Sequence, residues 1–111
     1  MSQFVLREWN LQAYPGDMAP THVHHNGDEA FYVIEGELTV LDGDTRHHLR
    51  AGEMHTVAAG SRHTFATAGS SGAKVLVVMS PEIDRLIQRL HEGPIDDMAA
   101  LWAEHNSSLV E

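Results

Sequence analysis

The sequence contains no cysteine and is short of basic residues. Without cysteine the chain can form no disulfide bond and offers no thiolate to a metal ion, so any metal ligands must be nitrogen or oxygen atoms. Seven lysine and arginine residues stand against sixteen aspartate and glutamate residues, which gives a formal net charge of −9. Nucleic acids and anionic membrane surfaces select basic faces, so we expect neither as a partner.

Long apolar segments are also absent. No stretch approaches the roughly 20 apolar residues of a membrane-spanning helix. The first residues lack a basic segment followed by an apolar one, so we predict no signal peptide and expect a cytoplasmic protein. The 111 residues suit a single domain, and a content of 42% hydrophobic residues is enough to fill one core.

Short β-rich runs separated by glycine-containing turns make up the chain as far as Ser80. A turn recurs about every ten residues, which is typical of an all-β sandwich or barrel. Asp42-Gly43 predicts a hairpin, because type I′ turns need positive φ angles, and Gly69-Ser70-Ser71-Gly72 predicts the last turn. The predicted strands are Phe4–Trp9, His22–His24, Ala30–Ile34, Glu37–Leu41, Thr45–Leu49, Met54–Val57, His63–Ala68 and Val75–Met79.

The remaining residues predict two short α-helices. Ser80-Pro81-Glu82 indicates a helix start, with a capping serine, a proline at the first helical position and an acid in the first turn. The apolar residues that follow have helical spacing: Ile83, Leu86, Ile87 and Leu90. Gly93-Pro94 separates the predicted helices 81–91 and 94–105, and Asp97 falls in the first turn of the second. Both are too short to be stable alone, so we expect them to pack on the barrel.

Histidine is abundant, with nine residues, and two histidines alternate on one predicted strand. Side chains at i and i+2 point to the same face of a strand, so His22 and His24 are expected side by side. The turn at Asn26-Gly27 returns the chain, and Glu29 can then face both histidines across the sheet. Two histidines and a carboxylate on one face are a candidate metal site, and a later glycine turn precedes a further histidine, His63.

The spacing of these residues resembles the motifs of the cupin superfamily. From Gly16 to Gly36 the chain reads glycine, five residues, His-x-His, four residues, glutamate, six residues and glycine, which matches the first cupin motif at every defining position. Gly52, Gly60 and His63 resemble the second motif. That segment departs from the motif where Ala58 replaces the usual proline and Thr67 replaces the usual asparagine. The chain is similar to small single-domain cupins of the quercetin-dioxygenase-like kind.

The resemblance implies a double-stranded β-helix, the jelly-roll barrel of cupins, followed by two short C-terminal α-helices. It also implies that a divalent metal is held by His22, His24, Glu29 and His63. Imidazole and carboxylate ligands suit Fe, Mn, Ni, Co, Cu or Zn without choosing among them. Four protein ligands on an octahedral ion leave two positions for water, oxygen or a substrate. A weakly bound Glu29 could act as a general base, which makes it the candidate catalytic residue.

The neighbours of these ligands predict the wall of a small-molecule pocket. Side chains two residues apart share a strand face, so apolar residues beside Glu29 and His63 are expected to surround the site. The predicted lining residues are Phe31, Val33, His55 and Phe65. Simple core packing is the alternative role for these side chains, and Trp102 is predicted to be a core or lid residue.

Three functions remain open at this level. The resemblance favours a metal-dependent, dioxygenase-like enzyme that acts on a small aromatic or polyoxygenated molecule. The alternatives are a non-oxidative polyketide cyclase, isomerase or lyase with a Lewis-acid metal, and a non-catalytic protein that binds a small ligand. We expect a homodimer, because small cupins commonly pair through edge strands and Phe4–Trp9 could be such an edge.

Overall fold

The computed structural model describes residues 3–67 and 71–110. In that part of the chain, strands dominate and two short helices follow the seventh strand. The strands are β1 (Val5–Leu11), β2 (His22–His24), β3 (Glu29–Asp42), β4 (Thr45–Arg50), β5 (Met54–Val57), β6 (His63–Thr67), β7 (Ala73–Met79) and β8 (Ser107–Leu109). The helices are α1 (Pro81–Leu90) and α2 (Met98–Glu104).

The long strand β3 belongs to two antiparallel sheets. Its first half pairs with β5 and β7, and β1 extends that sheet beyond β7. Its second half pairs with β4 and β6, and β2 and β8 extend the other sheet beyond β6. A register shift between Val33 and Glu35 marks the place where β3 passes from one sheet to the other. This arrangement agrees with the predicted double-stranded β-helix.

Two features of the strands differ from the prediction. The break predicted at Gly36 is wrong, because Gly36 adopts a φ of +79° inside β3 and the strand continues through it. The sequence pattern also gives no indication of β8. The predicted strand His63–Ala68 and the predicted turn Gly69–Gly72 both extend into residues 68–70, which lie outside the described residues.

The core lies between the two sheets and is built by alternation along each strand. In β7 every second residue is buried, from Ala73 to Met79. In β3 the buried set changes from odd to even numbers across the register shift, so Phe31 and Val40 both face inward. Full burial of a valine, leucine or phenylalanine side chain contributes about 1.5 to 3 kcal/mol. The core therefore supplies a rigid frame for the polar side chains at its edge.

Helix α1 begins as the sequence predicts. The backbone N–H of Ile83 donates to the Ser80 side chain at 3.2 Å, and Pro81 occupies the first helical position. The Arg7 guanidinium on β1 donates to both carboxylate oxygens of Asp84, at 3.0 and 2.9 Å. This pair and Ile83, which is buried in the barrel core, fix α1 against the barrel.

Helix α2 is shorter than predicted and starts at Met98 instead of residue 94. The reason is that Asp97 is the N-cap: its carboxylate accepts a hydrogen bond from the Ala100 N–H at 3.0 Å. Leu101 and Trp102 are buried with Leu86 in a second apolar cluster between the helices. Neither helix in the described part of the chain has the length and apolar run needed to cross a membrane.

Candidate metal centre

Three strands bring the predicted metal ligands together. His22 and His24 come from β2, Glu29 is the first residue of β3, and His63 is the first residue of β6. His22 pairs directly with His63 across the sheet, which places both imidazoles on the same inner face. All four residues are buried, and their ligand atoms lie within 4.8 Å of one another. This set is called the metal centre below.

The distances within the metal centre are short. Oε1 of Glu29 lies 3.2 Å from Nε2 of His63 and 3.7 Å from Nε2 of His24. The ring centroids of His22 and His63 are 4.3 Å apart. Burying a carboxylate and three imidazoles is unfavourable unless they share charge or a metal ion, and this compact set provides for both.

The outward-facing nitrogen of each imidazole already has a partner. Nδ1–H of His22 donates to the Pro20 carbonyl at 2.7 Å, and Nδ1–H of His63 donates to the Ser61 carbonyl at 3.0 Å. A carbonyl can only accept, so each Nδ1 carries a proton and each Nε2 is the atom left for a metal, although Nε2 of His63 donates to Glu29 until a metal displaces its proton. Two of the three imidazoles are thus held in the tautomer that binds a metal through Nε2.

Ser107 on β8 holds the Nδ1 atom of His24, as the carbonyls hold those of His22 and His63. Its hydroxyl donates to the His105 carbonyl at 3.1 Å, and its oxygen lies 2.7 Å from Nδ1 of His24. Because the hydroxyl proton is used for the carbonyl, the oxygen accepts from Nδ1–H and leaves Nε2 free for a ligand bond. Sequence reasoning missed Ser107, since only the pairing of β8 with β2 places it opposite His24.

Two of the histidines are neutral at pH 7. Burial lowers the pKa of His22 to about 4, with repulsion from His63 adding to the effect. Burial also lowers the pKa of His24 to about 3, and repulsion from His22 acts in the same direction. Burial lowers the pKa of His63 too, but hydrogen bonds with Glu29 and the Ser61 carbonyl, together with the negative charges of Glu29 and Asp42, outweigh that effect and raise the pKa. A metal ion binds neutral imidazole, so His22 and His24 need lose no proton to become ligands.

These observations fit a divalent transition metal ion. Three imidazole nitrogens and one carboxylate oxygen converge. The Nδ1 atom of each imidazole has a hydrogen-bond partner outside this group. Nitrogen and oxygen donors of this kind suit the predicted ions from manganese to zinc. The metal centre is therefore a buried histidine–glutamate cluster that could hold such an ion.

The indole of Trp102 covers one side of the metal centre. Its ring lies parallel to that of His24, with a 10° angle between planes and 6.2 Å between centroids, and its centroid is 5.2 Å from that of His22. The sequence predicts Trp102 as a core or lid residue, and it packs in the apolar cluster between the helices. Helix α2 thus brings an apolar surface to the histidines.

The predicted pocket residues have different surroundings. Phe31 and Val33 are fully buried in the core, and Phe65 is half-buried against them. Trp9 completes an aromatic group with Phe31 and Phe65, at centroid distances of 6.4 and 5.8 Å. His55 is half-buried and contacts Asp42 instead of the metal centre. Their role in lining a substrate pocket stays a prediction.

Part of the chain is similar in sequence to proteins whose names describe different functions. It is 37% identical over 68 residues to the polyketide synthase CurC of Streptomyces cyaneus, an alignment that covers 60% of this chain and 44% of that protein. It is 25% identical over 67 residues to the HTH-type transcriptional regulator PuuR of Escherichia coli K12, covering 60% of this chain and 36% of that protein. The chain thus spans less than half the length of either relative.

A solved structure shows the same architecture. The sugar phosphate isomerase from a cupin superfamily of Silicibacter pomeroyi superposes with a TM-score of 0.61 and 28% identity, over 72% of this chain and 52% of that chain. The family model described as the cupin domain matches residues 11–79, well over half of the 111 residues. That match spans the metal centre and the strands that carry it, and the chain belongs to the cupin family.

Proposed function

We propose that this protein is a metal-dependent enzyme that moves a proton at a carbon next to a carbonyl group in a small oxygen-rich substrate. The observation that carries the proposal is the convergence of three imidazoles, each held through Nδ1 so that Nε2 is the ligand atom, with the Glu29 carboxylate. Isomerases, lyases and cyclases all begin with such a proton transfer. The reaction requires no oxygen.

The substrate class is supported by two relatives. One is named as a polyketide synthase and the other as a sugar phosphate isomerase. Polyketides and sugar phosphates both present carbonyl groups beside acidic C–H bonds. Because this chain spans less than half of the first relative and about half of the second, the shared chemistry comes to it only as a proposal.

The side chains of the metal centre divide into two roles. His22, His24 and His63 hold the cation through Nε2, and a bound cation supplies Lewis acidity to a substrate oxygen. Glu29 takes the proton from the carbon: the C–H electron pair moves toward the carbonyl oxygen, and the carboxylate becomes a carboxylic acid. The same carboxylic acid then returns the proton to a neighbouring atom of the substrate. Trp102 shields His22 and His24 from solvent on one side.

Deuterium exchange tests the proposal even where the product is unidentified. The protein is loaded with one metal at a time and incubated in D₂O with 1,3-dicarbonyl compounds and with aldose and ketose phosphates. Loss of the proton signal next to the carbonyl is followed by NMR. We expect exchange faster than in protein-free solution with at least one substrate class, and only the protein-free rate with metal-free protein.

Matched variants connect the exchange to the metal centre. His22→Ala removes a ligand, whereas His25→Ala changes a neighbouring exposed histidine, so only the first should abolish exchange. Glu29→Gln should slow exchange by about 100-fold or more, because general base catalysis contributes that much. Equal exchange in wild-type protein and in His22→Ala would contradict the proposal.

The oxygen requirement separates the two enzymatic candidates. The cupin-like donor set also suits redox-active metals, which is the basis of the dioxygenase-like alternative. Turnover that continues under strict anaerobiosis supports proton transfer. Turnover that stops without oxygen and consumes it in proportion to product would replace the proposal with the dioxygenase. Saturable ligand binding without any turnover would favour the non-catalytic alternative.

A further inference from the structure

A second group of metal-ligand side chains lies outside the metal centre. It consists of Asp42 at the end of β3, His47 on β4 and His55 on β5, and it is called the second cluster below. Its ligand atoms lie within 4.8 Å of one another. Asp42 and His47 come from the two strands of the β3–β4 hairpin, and the following strand β5 adds His55.

Each member of the second cluster points toward the barrel interior. His47 lies two residues before the buried Leu49, and His55 lies two residues before the buried Val57. Asp42 continues the inward face of β3 that includes Val40. All three are half-buried, and the side chains of His55 and Asp42 remain 19% and 21% exposed. An ion can therefore reach the second cluster from solvent, whereas the metal centre is nearly closed.

The distances within the second cluster are those of a site that needs little rearrangement. Nε2 of His55 lies 2.8 Å from Oδ2 of Asp42. Two ligand atoms on one zinc ion, with bonds of about 2.0 to 2.2 Å, are roughly 3 to 3.5 Å apart, so an ion could enter after a small movement. Ser61 donates to the other oxygen of Asp42 and orients the carboxylate.

A simple hydrogen bond between Asp42 and His55 does not account for His47. The rings of His47 and His55 stack with centroids 4.0 Å apart and planes 25° apart. The stack places a ring nitrogen of His47 within 4.8 Å of the ligand atoms of Asp42 and His55.

We propose that Asp42, His47 and His55 form a second metal site that binds a zinc-like divalent ion. Two imidazole nitrogens and one carboxylate oxygen are the donors of open zinc sites, and they do not suit Mg²⁺ or Ca²⁺, which select oxygen. The second site shares no ligand with the metal centre. The two sites are neighbours, since Asp42 pairs directly with His63 across β3 and β6.

Metal stoichiometry tests this proposal independently of any activity. Metal-free protein is titrated with ZnCl₂, and the number of bound ions is counted by native mass spectrometry and by calorimetry. The wild-type chain should bind two ions. His47→Ala and His55→Ala should bind one, while His48→Ala, which changes the exposed neighbour of His47, should still bind two.

A double variant isolates the second site. His22→Ala combined with His24→Ala should leave one ion bound, and Asp42→Asn in that background should weaken its binding by about tenfold or more. If Co²⁺ replaces Zn²⁺, a visible absorption band in the double variant reports nitrogen and oxygen ligands directly. Circular dichroism confirms that each variant is folded, and the conservative His47→Gln and His55→Gln replace any alanine variant that is not.

Two results would overturn the second site. One is a single ion bound to wild-type protein that is lost in the His22→Ala, His24→Ala double variant. The other is two ions bound to folded His47→Ala or His55→Ala protein. Because these counts do not depend on turnover, failure of the second site and failure of the proposed enzymatic function are separate outcomes.

Discussion

Ser107 sets the tautomer of His24 even though it is not a ligand. The hydroxyl accepts from Nδ1–H of His24 and donates to the His105 carbonyl, so both its hydrogen-bonding roles are used. His22 and His63 rely on backbone carbonyls for the same purpose, and these cannot be removed by substitution. Among the described residues, Ser107 is therefore the side chain that holds Nδ1 of a metal-centre imidazole, and changing it can release His24 without deleting it.

We predict that Ser107→Ala weakens metal binding by about 10- to 100-fold, as is usual when a group that orients a ligand is lost. Calorimetric titration of metal-free protein measures the change. Ser108→Ala is the matched control: Ser108 lies on the same strand but contacts the exposed His25, so metal affinity should stay at the wild-type value. Equal effects of the two substitutions would show that β8 matters only for stability.

The lowered pKa values of His22 and His24 predict a pH-dependent stability of the metal-free protein. Both histidines bind protons in the unfolded chain near pH 6.5 but in the folded chain only near pH 4 and pH 3. Between these values the unfolded state binds more protons, so the free energy of unfolding falls as the pH falls below 6.5. The raised pKa of His63 acts in the opposite direction.

The net loss should be at most about 6 kcal/mol between pH 7 and pH 4, because each unit of pKa shift corresponds to about 1.4 kcal/mol and the raised pKa of His63 offsets part of the loss. Urea unfolding of metal-free protein at several pH values measures it. The His22→Ala, His24→Ala double variant reports the loss caused by all other groups. Identical pH profiles of the variant and the wild-type protein would refute the assignment to these histidines.

At the scale of elements, the shared strand β3 depends on Gly36. A φ of +79° is unfavourable for other residues, and a Cβ atom at this position would clash with the Gly72 carbonyl oxygen. The sequence predicts a strand end here because glycine commonly punctuates strands. The structure uses the same conformational freedom for a bend within one strand, which carries the chain from one sheet to the other.

Gly36→Ala should therefore destabilise the protein by about 2 to 4 kcal/mol, through both the positive φ and the close contact with the backbone at the start of β7. Gly43→Ala is the control, because Gly43 also has a positive φ of +61° but has open space around its Cβ position. That variant should lose only about 1 kcal/mol. Chemical denaturation measures both, and equal losses would exclude the contact as a cause.

Site residues whose partners lie nearby in the sequence are easier to predict than those whose partners lie far along the chain. His22, His24 and Glu29 could be predicted because they lie in one segment whose alternation and turn are local. His63 required the family resemblance. Ser107 could not be found, since its contact with His24 arises only from the pairing of β8 with the distant strand β2. The second cluster lies on consecutive strands, but strand alternation alone does not show that His47 and His55 converge on Asp42. The three residues of β8 carry no periodic pattern long enough to indicate a strand.

For the whole molecule, β1 presents an edge that is open to a second copy. β1 lies at one end of the strand order, and it is hydrogen-bonded to β7 along one of its two sides. Phe4 and Leu6 are 69% and 61% exposed there, which is unfavourable for apolar side chains in water. We propose that two chains pair along this edge to form the homodimer expected from the sequence.

Leu6→Glu should convert the dimer into a monomer, because it places a charge within the paired edge. Sedimentation velocity at micromolar concentration measures the change. Leu109→Glu changes an exposed leucine on β8, at the opposite end of the strand order, and should leave the dimer intact. A wild-type protein that sediments as a monomer would disprove the pairing.

The contact between His24 and Ser107 joins positions 83 residues apart, and this has a consequence for biosynthesis. All four ligands of the metal centre leave the ribosome well before Ser107 does. A nascent chain that has folded as far as β7 holds the ligands but cannot yet orient His24. High-affinity capture of an ion must then wait for β8 to dock, so translation itself delays metal loading until the barrel is closed.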